Sequence, residues 1–446
     1  MNRTFRGPAT LSLASVLGSS AVVLAALILG FLGPSSPMVP ASLVALFCAV
    51  LAPRLTIAVA VAWIVLCRVG SELVSVQVAG ATVTEIDALI ALASISGLTL
   101  RTKRGRLDHP GSLILLALWP TWFVLRTLVG PDAEGFIQVA PLVDLGYVAA
   151  FALAPSVREA LLQTPNPKRV LVSAICWLAY IACAVAIAGR LLLELGLLEA
   201  GRYSLFLVGV DATKEVRPGG EILIPVVLVF ALRGDAVPVL GRRWIPFALV
   251  ASEILLSQTL SLLIASVVGV AFAAGVAGRG TSLISRLGAV FALVLGVALV
   301  VGLVDEGGRF NLTERVGQES AQYRFYEIEV IGERLRSDPT AQWVGAGGGT
   351  MVQFDGLGEV KRDSHNVYAS IAWKTGLLGL ALFVLPFFAA AARARRRGRL
   401  GGSVMGGFAA VGVLSFTVPF VWTASGLVGL SLLVVLTEFL DHDPED

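Results

Sequence analysis

The stretch "RDSHNVYASIAWKTGLLGLALFVLPFFAAAARARRRGR", Arg362 to Arg399, decides how the chain is read. Residues 366–392 form an apolar run longer than the roughly 20 residues a helix needs to cross a bilayer. The run opens on His365 and Asn366 and closes on "RARRRGR", Arg393 to Arg399. Arginine and lysine collect on the cytoplasmic side of spans, so the arginine end faces inward and the histidine end outward. His365 is then either a cap where a loop meets a membrane or a catalytic group.

The rest of the chain agrees with a membrane reading. It has 446 residues, of which 56% are hydrophobic and 15% charged, and its mean hydropathy is +0.83. That is too apolar for a soluble globular protein of this length. Apolar runs fall near 12–33, 37–52, 55–73, 83–100, 112–130, 137–154, 169–190, 220–233, 244–257, 260–278, 287–304, 366–392, 403–420 and 423–440, and predict an all-α polytopic protein with about 12–14 spans. The first run follows Arg3 and Arg6 as a signal peptide would, but it is long enough to span and lacks a small-residue cleavage site.

Basic residues occupy every second connection: Arg54, Arg101 to Arg106, Arg158 with Lys168 and Arg169, Arg233 with Arg242 and Arg243, Arg279 with Arg286, and Arg393 to Arg399. Both termini are therefore expected in the cytoplasm. Cys48, Cys67, Cys176 and Cys183 all lie in apolar runs and read as small buried hydrophobes. A net charge of +3 spread over many loops gives no footprint for a nucleic-acid partner.

This pattern divides the chain into a bundle over residues 1–304, a large helical outer loop over 305–365, C-terminal spans over 366–440 and a tail over 441–446. Long loops without function are uncommon, so the outer loop is where chemistry is expected. His109 and His442 fall on the inner side, which leaves His365 as the outer histidine.

Within the loop, Asn311 followed by Glu314 reads as a capping box, and Pro339 ends the helical stretch. Arg324, Ile328, Ile331 and Leu335 share one helical face. A guanidinium on an apolar face needs an anion. That anion is either an internal carboxylate, Glu327 or Asp363, or a diphosphate bound through bidentate hydrogen bonds. Arg315, Arg362 and Arg217 are further candidates for such an anion. The glycine run Gly345 to Gly349 reads as a turn permitting close packing, with a phosphate cradle as the alternative. Trp343 and Phe354 read as interface anchors. His365 could accept a proton when oriented by a neighbour such as Asp363.

Taken in order, Arg324, the "VGAGGGT" step at Val344 to Thr350, His365 with Asn366, and the Gly376 to Gly379 helix resemble the O-antigen ligase and O-antigen polymerase superfamily of bacterial membrane glycosyltransferases. The resemblance is specific over Arg324 to Leu380 and architectural elsewhere. It implies a glycosyltransferase-C-like fold and transfer of a glycan from an undecaprenyl-diphosphate donor to a glycan or lipid-linked acceptor, outside the membrane and without a metal or other cofactor. It further implies that Arg324 and Arg217 hold the diphosphate, that His365 is the base or acceptor-orienting group, and that Asn366 belongs to the substrate-binding set. A Ser-Arg pair common in that family is missing from "LLSQTLSLLIAS", where Ser257, Thr259 and Ser261 stand without an arginine. Arg126, near the outer end of its helix, is the candidate replacement.

Charged residues within spans, among them Arg68, Glu72, Glu85, Asp87, Asp144, Glu194 and Glu253, point to a polar cavity opening outward or to structural pairs. They also motivate a rival, a flippase or exporter of lipid-linked glycans. No internal repeat of the kind common in transporters is visible.

Overall fold

The computed structural model describes residues 48–66, 75–78, 81–104, 111–129, 136–138, 148–195, 197, 207–210, 215–218, 220–257, 259–276, 319–354, 358–361, 363–395, 397–416 and 423–440. The expected spans near 12–33 and 287–304, most of the one near 37–52, and the first part of the outer loop with Asn311 and Arg315 lie outside them.

The described chain is mostly helical. Its helices are α1 (Pro53–Leu66), α2 (Glu85–Arg104), α3 (Gly111–Val129), α4 (Leu153–Leu161), α5 (Pro167–Glu194), α6 (Leu223–Arg233), α7 (Trp244–Leu256), α8 (Leu260–Val276), α9 (Glu319–Ser337), α10 (Pro339–Val344), α11 (Val367–Ala394), α12 (Gly398–Leu414) and α13 (Ala424–Glu438). Two segments, Pro167–Leu192 and Val367–Ala394, are long and apolar enough to cross a membrane by length and composition. The remaining apolar helices are shorter.

Helix α13 is the centre of the core. Leu427, Val428 and Leu432 to Leu436 are all buried, as expected of a helix apolar all round. Helices α1, α4, α11 and α12 pack around it. Helix α8 meets α12 with almost no side chain between them, because Gly269 lies against Gly406 and Ala410. Small residues at such a crossing let two backbones approach.

The expectation of an all-α chain needs correction. Short antiparallel strands join the helices: β1 (Ser75–Val78) with β2 (Ala81–Thr84), β4 (Leu207–Val210) with β5 (Glu215–Pro218), and a three-stranded sheet in the order β3 (Ile137–Gln138), β6 (Thr350–Phe354), β7 (Glu359–Lys361). Connections rich in valine and threonine, such as "SVQV" and "ATVT", favour a pleated backbone over a helix. The run expected as a helix over 137–154 accordingly begins as a strand, with Ile137 opposite Met351. Phe354 is another correction: alternation along β6 turns Thr350, Val352 and Phe354 inward, so it is a core residue packed near Tyr326, whereas Trp343 is 62% exposed.

Basic segments gather at one end of the bundle. Arg54 donates to Gln163 Oε1, Arg393 and Arg158 both reach Glu438, and Arg233 donates to the Arg399 carbonyl. At the opposite end stand the C-terminus of α3, the glycine run and the N-terminus of α11. Large apolar side chains cover the outward faces between, with Leu128 at 68% and Phe388 at 70% exposure.

Candidate functional site

The site is assembled by α9, α10, the β6–β7 hairpin and the start of α11. Asp338 ends α9 and caps α10, accepting from the backbone N–H groups of Thr340 and Ala341 at 2.8 and 3.0 Å, with Pro339 at the first helical position where no N–H is needed. The expected stop before Pro339 is thus observed.

After α10 the chain crosses α11 at a break in that helix. Gly376 has φ 70° and ψ −178°, and the N–H groups of Ala346 and Gly347 donate to the carbonyls of Trp373 and Lys374 at 2.7 and 2.9 Å. The end of α3 clasps the same crossing from the other side. Trp122 Nε1 donates to the Thr375 carbonyl (2.9 Å), Arg126 Nε to the Gly345 carbonyl (2.9 Å), and the Gly348 N–H to Thr127 Oγ1 (3.2 Å). The glycine run is a buried packing turn, and its amides at 346, 347 and 348 are already bonded within the protein.

This clamp fixes the N-terminus of α11. Asn366 is the N-cap: its Oδ1 accepts from Ala369 N–H at 2.9 Å and its Nδ2 donates to the Phe416 carbonyl at 3.3 Å. Both ends of a side chain only 4% exposed are used to start the helix, so its place is that of a cap, beneath the surface expected to meet substrate. Losing such a cap typically costs about 1 kcal/mol.

His365 stands just outside the cap, and its partner is Glu327. Nδ1 lies 3.0 and 3.2 Å from the two carboxylate oxygens, and the His365 backbone N–H also donates to Glu327 Oε2, at 2.9 Å. Ser364 Oγ donates at 2.9 Å and Lys361 Nζ lies 3.2 Å away. Glu327 is 0% exposed, whereas 41% of the His365 side chain is open. A carboxylate accepts only, so the network assigns a proton to Nδ1 and leaves Nε2 outside it. Tyr323 packs edge-on to the imidazole, holds Lys361 Nζ over its ring at 4.2 Å and donates to Glu359 at 2.7 Å.

Burial alone would push the Glu327 carboxyl up, but the hydrogen bonds and charge of His365, with Ser364, outweigh it and bring its pKa down to about 2. Burial likewise opposes the Lys361 ammonium, and Tyr323 and Glu327 more than compensate, raising its pKa above the ordinary value. A carboxyl lowered from 4.5 to about 2 adds stability that is complete above pH 4.5 and lost as pH falls toward 2, worth about 3 kcal/mol. Acid unfolding of the wild type should therefore steepen across this window, and Glu327→Gln should flatten that part of the curve.

The expected site residues separate as follows. Arg324 lies on α9 one turn before Glu327, at the i, i+3 spacing that puts Cβ atoms about 5–6 Å apart, so it shares the His365 end. The buried face of α9 carries Glu327, Ile331 and Leu335, while Ile328 is exposed; the face proposed from Arg324 and Ile328 is rotated by about one residue. Arg126 serves the glycine turn. Arg217 sits in β5 opposite Val208, Arg315 lies outside the described residues, and Ser257 and Thr259 are buried at the end of α7. Glu327 was visible in the sequence only as a potential partner of Arg324. Among the described residues no group of three or more His, Cys, Asp or Glu side chains is placed to hold a metal ion.

No known family model matches the chain, and no curated protein is significantly similar to it.

Proposed function

We propose that the chain is a membrane-embedded glycosyltransferase of the O-antigen ligase or polymerase type, taking a glycan from an undecaprenyl-diphosphate donor on the outer face of the inner membrane. The observation that carries this reading is the buried Glu327 carboxylate bound to Nδ1 of a His365 whose side chain is 41% exposed. Apolar outward faces, basic segments collected at one end and a glycosyltransferase-like motif order over Arg324 to Leu380 support the setting.

In the proposed reaction an acceptor hydroxyl attacks the anomeric carbon of the donor glycan. Its oxygen forms the new glycosidic bond, its proton passes to His365 Nε2, and the bond from the anomeric carbon to the diphosphate oxygen breaks. Glu327 stabilises the imidazolium that results. The leaving polyprenyl diphosphate gains negative charge, which in this reading Arg324, one turn before Glu327, offsets. One direct displacement inverts the anomeric centre.

Reconstitution of the purified chain in liposomes with an undecaprenyl-diphosphate oligosaccharide and a glycan acceptor tests the proposal. The expected result is a new glycosidic bond with release of undecaprenyl diphosphate. Movement of the intact donor between leaflets without bond formation would instead identify a flippase.

A further inference from the structure

A cavity of about 1400 Å³ runs along α11 and α12. Its walls are aromatic and aliphatic: Phe272 of α8, Phe383, Phe387 and Phe388 of α11, and Phe408 of α12. At one end it reaches Tyr368 and Ser415; at the other it closes on Arg233, Arg395 and Arg399.

The arginine end is built. Arg233 Nη1 donates to the Ala273 carbonyl at 2.9 Å and Nη2 to the Arg399 carbonyl at 3.1 Å, which fixes the guanidinium in place. Its Nε is buried and has no hydrogen-bond partner, so the donors open to a ligand at this end are those of Arg395 and Arg399. Arg399, with its side chain 62% exposed, has Nε 3.5 Å from Asp235 Oδ1, and Asp235 also accepts from Ser403 Oγ. Arg395 is exposed at the end of α11, and Phe388 lies two turns before it. Arg233, Arg395 and Arg399 thus line one end of an apolar chamber, with the nearby Asp235 already engaged by Arg399 and Ser403.

We infer that this chamber binds an anionic two-chain lipid, with its phosphate on Arg395 and Arg399 and an acyl chain along Phe387, Phe388 and Phe408. A soluble anion would leave the apolar walls unfilled, and an uncharged hydrophobe would leave the arginines unmet. An amphiphile with an anionic head satisfies both. Guanidinium groups bind phosphate bidentately, and basic pockets between helices on the cytoplasmic side favour anionic headgroups. The inference rests on the membrane-embedded reading and is independent of the transferase chemistry.

The test uses the full-length chain in nanodiscs of phosphatidylglycerol or of phosphatidylcholine with the same acyl chains. Phosphatidylglycerol is expected to raise Tm above phosphatidylcholine and to remain bound in native mass spectra. Arg395→Ala with Arg399→Ala should weaken that retention about 30-fold, and the two lysine replacements should restore most of it. Ala409→Phe, which fills the chamber without touching the arginines, should abolish retention while Tm in detergent stays near wild type. Equal Tm and retention in the two lipids, or a long polyprenyl lipid held in place of phosphatidylglycerol, would overturn the inference. If the chain still requires detergent, such a result leaves the membrane reading standing; a chain monodisperse in plain buffer overturns both.

Discussion

Glu327→Gln is expected to lower the turnover number for glycan transfer by about 10²–10⁴-fold, with the donor KM changed by no more than about threefold. The carboxylate fixes which imidazole nitrogen carries the proton and stabilises the ring once Nε2 has taken a second one. An amide can offer its NH₂ to Nδ1 and stabilise the opposite tautomer, with the lone pair turned inward. The side chain keeps its shape, so substrate binding is spared while proton transfer is lost. His365→Ala should fall by a similar factor, and the double variant should be little worse than His365→Ala alone, because the two groups act as one unit. Lys361→Met separates chemistry from folding, since it removes the ammonium on Glu327 without touching the imidazole. An equal loss in Lys361→Met would assign the effect to structure, and full turnover by His365→Ala would end the case for this base.

Gly376→Ala is expected to act on folding instead. At φ 70° and ψ −178° the residue occupies backbone space open essentially to glycine, at a cost of about 1–3 kcal/mol for any other residue. A Cβ there would also run into the Trp343 carbonyl and the Val344 nitrogen. Across the crossing, a Cβ on Gly345, itself at φ 82°, would meet the carbonyl carbon and oxygen of Lys374. Neither backbone can yield without giving up the hydrogen bonds from Ala346 and Gly347. Each alanine variant should lose about 4 kcal/mol or more, seen as aggregation or a collapse of Tm in detergent. Gly275→Ala, where an added Cβ meets nothing within 4 Å, is the matched control and should behave as wild type.

Much of the helical frame was legible because its signals are local. An apolar run bounded by polar residues placed α11 at 366–392 against the observed Val367–Ala394 and α7 at 244–257 against Trp244–Leu256. The sequence offers His365 as the cap, and the structure gives that place to Asn366, one residue further on. Glu327 was not legible in the same way, since its role comes from a partner 38 residues away and no spacing rule records that contact. The break at Gly376 was hidden too: a glycine inside an apolar helix is tolerated, and only the crossing backbone of Gly345 shows why this one leaves the helical region. The strands escaped for a third reason. Two to five residues of alternation between helices are too few to stand out in a chain this apolar.

The break in α11 also sets a length. The 28 residues from Val367 to Ala394 form two helical segments that meet at Gly376, so they do not rise as one rod. Residues 370–376 are buried, and outward exposure begins at Leu377 and Leu378. The stretch from Leu377 to Ala394 rises about 27 Å, which matches the bilayer closely. On the membrane-embedded reading, the break divides the labour of α11: the segment after Gly376 is the one matched to lipid, and the buried turns before it, with His365 at their head, belong to the loop.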